Sequence, residues 1–234
     1  MTVVTWLHRL APADVDAWRD HARASVLDVN DGIVTAAGIA EGFASAGASR
    51  SVVFFAGAAI VLAGCLAAAA ARYTEEQTEH ERNRTLLEEE RASIEADPDA
   101  ELEELVGLYQ AKGLPADLAR QVAETLTEHD PVAAHADAEL RIESIGSLRD
   151  SLTAAVTAGL SFAAGAALPL AAMYWFPSQR IEVAFVVVLC ALALTGWLSA
   201  LLTGLSVLRL VRRNVILGAG TMLAGLLIGT FIDY

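Results

Sequence analysis

Four stretches of the chain carry no charged residue and are long enough to cross a bilayer: residues 51–71, 151–176, 183–208 and 214–232. A hydrocarbon core of roughly 30 Å takes about 20 helical residues at a rise of about 1.5 Å each. Residues 25–46 make a weaker fifth candidate, apolar and rich in small side chains but interrupted by Asp28, Asn30, Asp31 and Glu41. Polar groups inside a span are costly, so the weak span is the one to search for function. The pattern predicts an all-α polytopic membrane protein with five transmembrane helices.

Between the second and third spans the pattern changes to mixed polar and apolar positions. The second span runs on without Gly or Pro from Ala71 to Asp97, which predicts one long helix projecting from the membrane. Pro98 should end it. Asp99 is then expected to cap a second helix over 100–111, Gly113 to close it, Pro115 to open a third through Thr127, and Pro131 to open a fourth that leads back to the bilayer. Leu102, Leu105, Val106 and Leu108 give the second helix an apolar side, and Leu114, Leu118, Val122 and Leu126 do so for the third, as in a small helical bundle. The predicted organisation is an N-terminal segment (1–24), helices 1 and 2 (25–71), an inserted helical domain (72–148) and helices 3 to 5 (149–234). The N-terminal segment carries Asp14, Asp16 and Asp20, which does not fit a cleaved leader. A short helix at the membrane surface around Trp6 to Trp18, with tryptophans at headgroup depth, is expected there instead.

Charge sharpens this picture. Residues 72–150 hold 21 of the 29 acidic residues and 8 of the 16 basic ones, so the whole net charge of −13 resides in the insert. A polytopic protein that concentrates carboxylates on an insert without a matching basic run is a candidate for handling cations. Arg209, Arg212 and Arg213 fall in the tight link between spans four and five, and Arg19 and Arg23 precede span one. Positive-inside counting then puts the N-terminus and the acidic insert in the cytosol and Tyr234 on the opposite side. Cys65 and Cys190 both lie in spans and read as small packing residues, not as a disulfide framework.

The insert's carboxylates fall at ligand-like spacings. Glu101 and Glu104 share a helix face, and Glu79 and Glu90, eleven residues apart, point within about 20° of each other. His135, Asp137 and Glu139 add a nitrogen and two more carboxylates. Oxygen ligands at this density suit divalent ions such as Mn²⁺, Fe²⁺, Mg²⁺ or Ca²⁺. Composition also fits a second reading in which these charges only solvate helix faces. In the weak span, Asp31 and Glu41 lie about 15 Å apart along one helix and about 80° apart around it. They could form successive cation or proton stations, or Glu41 could sit hydrated at the outer interface. Gly225 and Gly229 form a GxxxG pair for which tight helix packing is the default. The arginine cluster is explained by topology and anionic lipid, not nucleic acid. No Walker loop, dinucleotide fingerprint or nucleophile elbow occurs, so neither an enzyme nor a bound cofactor is expected.

The weak span carries Asn30-Asp31-Gly32-Ile33-Val34-Thr35, and a Gly- and Ala-rich second span runs from it into a charged helix. Asp97-Pro98-Asp99-Ala100-Glu101-Leu102-Glu103-Glu104-Leu105, Gly113-Leu114, Glu128-His129-Asp130, the stretch from Ala134-His135 to Glu139-Leu140, and Leu168-Pro169-Leu170 follow in that order. Over nearly the whole chain from about Ala22 this order bears a resemblance to the vacuolar iron transporter family in its prokaryotic form. It implies a five-span homodimer in a prokaryotic plasma membrane that moves Fe²⁺, often also Mn²⁺, out of the cytosol in exchange for protons. It further implies that Glu90, Glu101, Glu104 and Glu139 are acidic metal ligands, that His135 stands where some members place a Met, and that Asp31 is the carboxylate on the membrane path. Four positions depart from the family pattern. Ala68 replaces a path-lining Met, Arg72 a Glu at the cytosolic end of span two, Ile60 a carboxylate present in some members, and Ser93 an acidic ligand. Two readings follow: a proton-coupled divalent-metal exporter, or a membrane-anchored metal-binding or sensing protein with a disabled path.

Overall fold

A computed structural model of the protein describes residues 12–140, 142, 146–176 and 180–232. Among them the chain is helical, with no strand: α1 (Pro12–Ser45), α2 (Arg50–Ala96), α3 (Pro98–Ala111), α4 (Ala116–His129), α5 (Pro131–His135), a π-helical turn (Ala136–Leu140), α6 (Leu148–Trp175), α7 (Arg180–Thr203) and α8 (Val207–Thr230). Helices α2, α6, α7 and α8 are long and apolar enough to span a bilayer, the pattern of a multi-pass membrane protein. Helix α1, at 34 residues, is long enough, but its carboxylates keep it out of that set. Length and composition thus mark four candidate spans among the described residues.

Several boundaries differ from expectation. Pro12 opens a helix that continues without a break into the weak span, and residues 1–11, with Trp6 and the start of the expected surface helix, lie outside the described residues. The run 183–208 breaks at residues 204–206, where Gly204 adopts a φ of +69° that suits a residue without a Cβ. Arg209, Arg212 and Arg213 therefore lie within α8 and not in a link. The cap of α3 is Asp97, whose carboxylate accepts from the Ala100 amide at 3.1 Å, and not Asp99. The helix opened by Pro131 does not run back to the membrane. It ends at His135 and passes into the π turn.

The chain divides into two compact units, Met1–Tyr73 with Leu152–Tyr234, and Thr74–Ser151. In the first, α1, α7 and α8 pack together. Helices α1 and α8 run parallel, since Asn30 meets Asn214, Gly38 meets Thr221 and Gly42 meets Gly225 in ascending order. Small residues set this approach. A Cβ on Gly225 would strike the Gly38 carbonyl, and one on Gly229 would strike the Gly42 carbonyl and the Ser45 hydroxyl. The Gly225–Gly229 pair thus serves packing within the chain. Helix α6 crosses α1 where Gly32 faces the Phe162 carbonyl and Gly165 faces that of Val29. Cys65 packs beside Gly159 on α6 and joins the cluster around Phe162, whereas Cys190 is exposed on the protomer.

The second unit is cored by Leu105, Val106, Ala119, Ala123, Ala134 and Ala138, with Leu102, Leu108, Tyr109 and Leu114 at its margin. The apolar side of α3 is the one its leucines predict. Helix α4 is rotated from the expected face. It buries Ala119 and Ala123 and leaves Leu118 and Leu126 exposed, because two alanines let it approach α3 more closely than leucines would. On the surface, the Arg120 guanidinium reaches Glu103 across the two helices at 2.7 Å.

Candidate metal centre

Three backbone elements of the Thr74–Ser151 unit converge on one point. Helix α2 supplies Glu90, α5 ends in His135, and the π turn that follows supplies Glu139. A π turn is wider than an α turn and concentrates at functional positions. Here it carries Glu139 to within 3.6 Å of the His135 ring. The turn is pinned from α3's C-cap, where the ammonium of Lys112 donates to the Ala138 carbonyl at 3.0 Å.

His135 Nδ1 lies 2.8 Å from Glu90 Oε1, and the nearest ligand atoms of Glu90, His135 and Glu139 all fall within 4.8 Å of one another. The close pair is not a hydrogen bond. Both atoms are buried and lack a hydrogen-bond partner; with His135 protonated the contact is an ion pair. Two ligands held at right angles about 2.1 Å from a shared ion are about 3.0 Å apart, so the separation suits a pair of neighbouring metal ligands. Burial pushes the Glu90 carboxyl above the ordinary range; His135 opposes this, and the charges of Glu139, Glu101 and Glu104 add to it. Glu101 and Glu104 on α3 act on Glu90 through their charge and lie outside the three-residue group. Glu79, three turns back along α2, is exposed and outside the group.

In the membrane unit, Asp31 and Glu41 occupy contrasting settings. Asp31 is exposed on the surface of the single chain, whereas Glu41 is fully enclosed and neither carboxylate oxygen has a hydrogen-bonding partner. A hydrated interface does not describe Glu41 in this fold. Beside Asp31, the Asn30 side-chain carbonyl accepts from the Thr195 hydroxyl at 3.0 Å and from the Asn214 amide at 3.4 Å, tying α1 to α7 and α8. One turn before Asp31, Asp28 faces the Arg72 guanidinium on α2 at 3.8 Å.

Residues 22–230 match the sequence model of the VIT family. The chain belongs to that family. It is 32% identical over 188 residues to a vacuolar iron transporter of Acanthamoeba castellanii, covering 80% of this chain and 69% of that protein. It is 25% identical over 206 residues to vacuolar iron transporter 1 of Tulipa gesneriana, covering 86% and 82% respectively.

Within this VIT-family fold, the four departures sit in different surroundings. Ala68 packs against the cluster of Ala36, Phe162 and Ala166. Ile60 is half-buried, and Ser93 is exposed three residues beyond Glu90. Arg72 has a carboxylate neighbour in Asp28, on α1. The Asn30 hub and the Lys112 anchor were not singled out from sequence. The polar interruption at Asn30 was the available signal for the first, whereas nothing local marks the second.

Proposed function

We propose that this protein transports a divalent metal ion, Fe²⁺ or Mn²⁺, out of the cytosol in exchange for protons. The observation that carries the reading is the buried approach of His135 Nδ1 to Glu90 Oε1 at 2.8 Å without a hydrogen bond, with Glu139 beside them. One nitrogen and several carboxylate oxygens suit a borderline divalent ion. Membership of the VIT family and the names of its relatives support metal as the cargo.

In this reading Glu90, His135 and Glu139 collect the ion, with Glu101 and Glu104 flanking them, and Asp31 receives it on the membrane path. Helix α1 is the fifth span, and the acidic unit faces the cytosol. A homodimer is supported by Asp31. A carboxylate exposed on the surface of a membrane-spanning helix is costly against lipid, and a second copy of the chain would cover it and give the ion a polar route.

The second reading, a membrane-anchored metal-binding or sensing protein, rests on Ala68 and Arg72, which stand where the resemblance places cation ligands; the Asp28 carboxylate, 3.8 Å from the Arg72 guanidinium, offsets that cation's charge. Uptake of Fe²⁺ and, separately, Mn²⁺ into proteoliposomes, with and without an imposed pH gradient, separates the two. Gradient-dependent flux that disappears in Asp31→Ala is the expected result. Metal binding by the purified native chain with no flux of either ion would overturn it in favour of the second reading.

A further inference from the structure

Glu41 is a buried carboxylate to which the metal centre gives no role. It is 0% exposed, and Oε1 and Oε2 both lack a hydrogen-bonding partner. One turn before it on α1, Ala37 is buried with Val188, Leu192 and Met222; one turn after, Ala44 is buried with Ala184 and Met173. These neighbours offer no hydrogen-bond donor, and their only side-chain heteroatoms are the thioether sulfurs of Met173 and Met222. On α7, Glu182 is the charged group that acts on Glu41, and it has the same sign. On α2, the Arg50 guanidinium lies over the Tyr174 ring at 4.0 Å. The charged residues of α6, Arg149 and Asp150, begin that helix, and those of α8, Arg209, Arg212 and Arg213, lie in its first two turns. By the register that sets Gly42 beside Gly225, the α8 arginines are at least three turns from Glu41.

An ionised carboxylate in such a setting costs far more than a neutral one. Three occupants could remove the charge: a basic side chain, a metal ion or a proton. No described basic side chain pairs with it. A divalent ion takes four or more ligands, and helical carbonyls around Glu41 are already committed to the backbone. Only the proton needs nothing further from the protein.

We propose that Glu41 is a proton-binding site of the membrane unit, separate from the metal ligands, which holds its proton while α1 and α7 are packed and exchanges it when they part. Binding forms one O–H bond and removes one negative charge; release breaks that bond and passes the proton to water. The part this plays in flux rests on the transport reading, whereas the protonation does not.

The test has two arms on the full chain. Infrared spectra of the purified protein in H₂O and D₂O at neutral pH should contain the carbonyl band of an un-ionised carboxylic acid, absent from E41Q and displaced in E41D. A band unchanged in E41Q overturns the proposal. In proteoliposomes, E41Q should still carry Mn²⁺ down its gradient, but the ratio of flux with and without a pH gradient should fall to unity. A ratio equal to that of the native chain overturns exchange at Glu41, since a merely structural acid is mimicked by the amide. Absence of Mn²⁺ flux from the native chain, with the band present, defeats the transport reading and leaves the proton site standing.

Discussion

In the proposed metal centre, Glu90 would tie metal binding to pH. Its folded-state carboxyl titrates above the ordinary value of 4.5, so the metal-free fold binds the proton more tightly than the unfolded chain does. The contribution to stability is greatest below the ordinary glutamate value and declines as pH rises through the raised one. Metal affinity runs the other way, because the ion competes with that proton. Thermal melts over this window should show the metal-free protein losing stability with rising pH and the Mn²⁺-loaded protein gaining it; Glu90→Gln should flatten both trends. His135→Ala removes the group's nitrogen, and calorimetric titration should find Mn²⁺ bound at least about tenfold more weakly, the lower bound seen even for outer-shell partners. Asn30 is tested by stability alone. Hydrogen bonds between membrane helices are worth about 0.6–2 kcal/mol each, and Asn30→Ala removes both from this junction, stranding the Asn214 amide while the Thr195 hydroxyl keeps the Leu192 carbonyl. A loss of roughly 1–3 kcal/mol, read as a lower melting temperature in detergent, is expected.

Among the elements, the π turn gives a prediction whose sign discriminates between causes. Lys112 holds the Ala138 carbonyl next to Glu139. If its positive charge were all that mattered, Lys112→Met would strengthen cation binding by removing repulsion. Because it anchors the turn, the substitution should instead weaken Mn²⁺ binding, with helix content by circular dichroism unchanged. At the α1–α8 crossing, Gly225→Val forces a side chain onto the Gly38 carbonyl. Overpacking of this kind costs about 1–3 kcal/mol and should appear as a lower melting temperature. The four apolar spans were legible because length and lack of charge suffice to mark them. The end of α7 was not, since Gly204 sits inside an apolar run and only its left-handed φ makes it a break. The face of α4 was misjudged because pattern reading favours Leu118 and Leu126, whereas close packing rewards Ala119 and Ala123. Glu90 and His135 are forty-five residues apart, so no local spacing joins them. That they meet in space was suggested only by the resemblance, and the π turn that brings Glu139 to them has no sequence signature of its own.

Across the whole molecule, charge and hydropathy are divided between the two units so completely that they can be tested as a pair. All of the net charge of −13 lies in residues 72–150, and like charges at that density raise the local concentration of cations and speed their capture. This long-range attraction is screened over about 10 Å at 0.1 M salt and about 3 Å at 1 M. Coordination by the buried Glu90 and His135, as proposed, would act over shorter distances and be screened much less. Raising monovalent salt should therefore raise the KM for Mn²⁺ uptake while leaving kcat nearly unchanged. Replacing exposed carboxylates outside the three-residue group, such as Glu75 and Glu124, with Gln should raise KM at low salt and lessen the further response to salt in proportion to the charge removed. Were kcat to fall with salt while KM held, the acidic unit would be acting on the membrane step and not on capture, and the division of labour between the units would have to be redrawn.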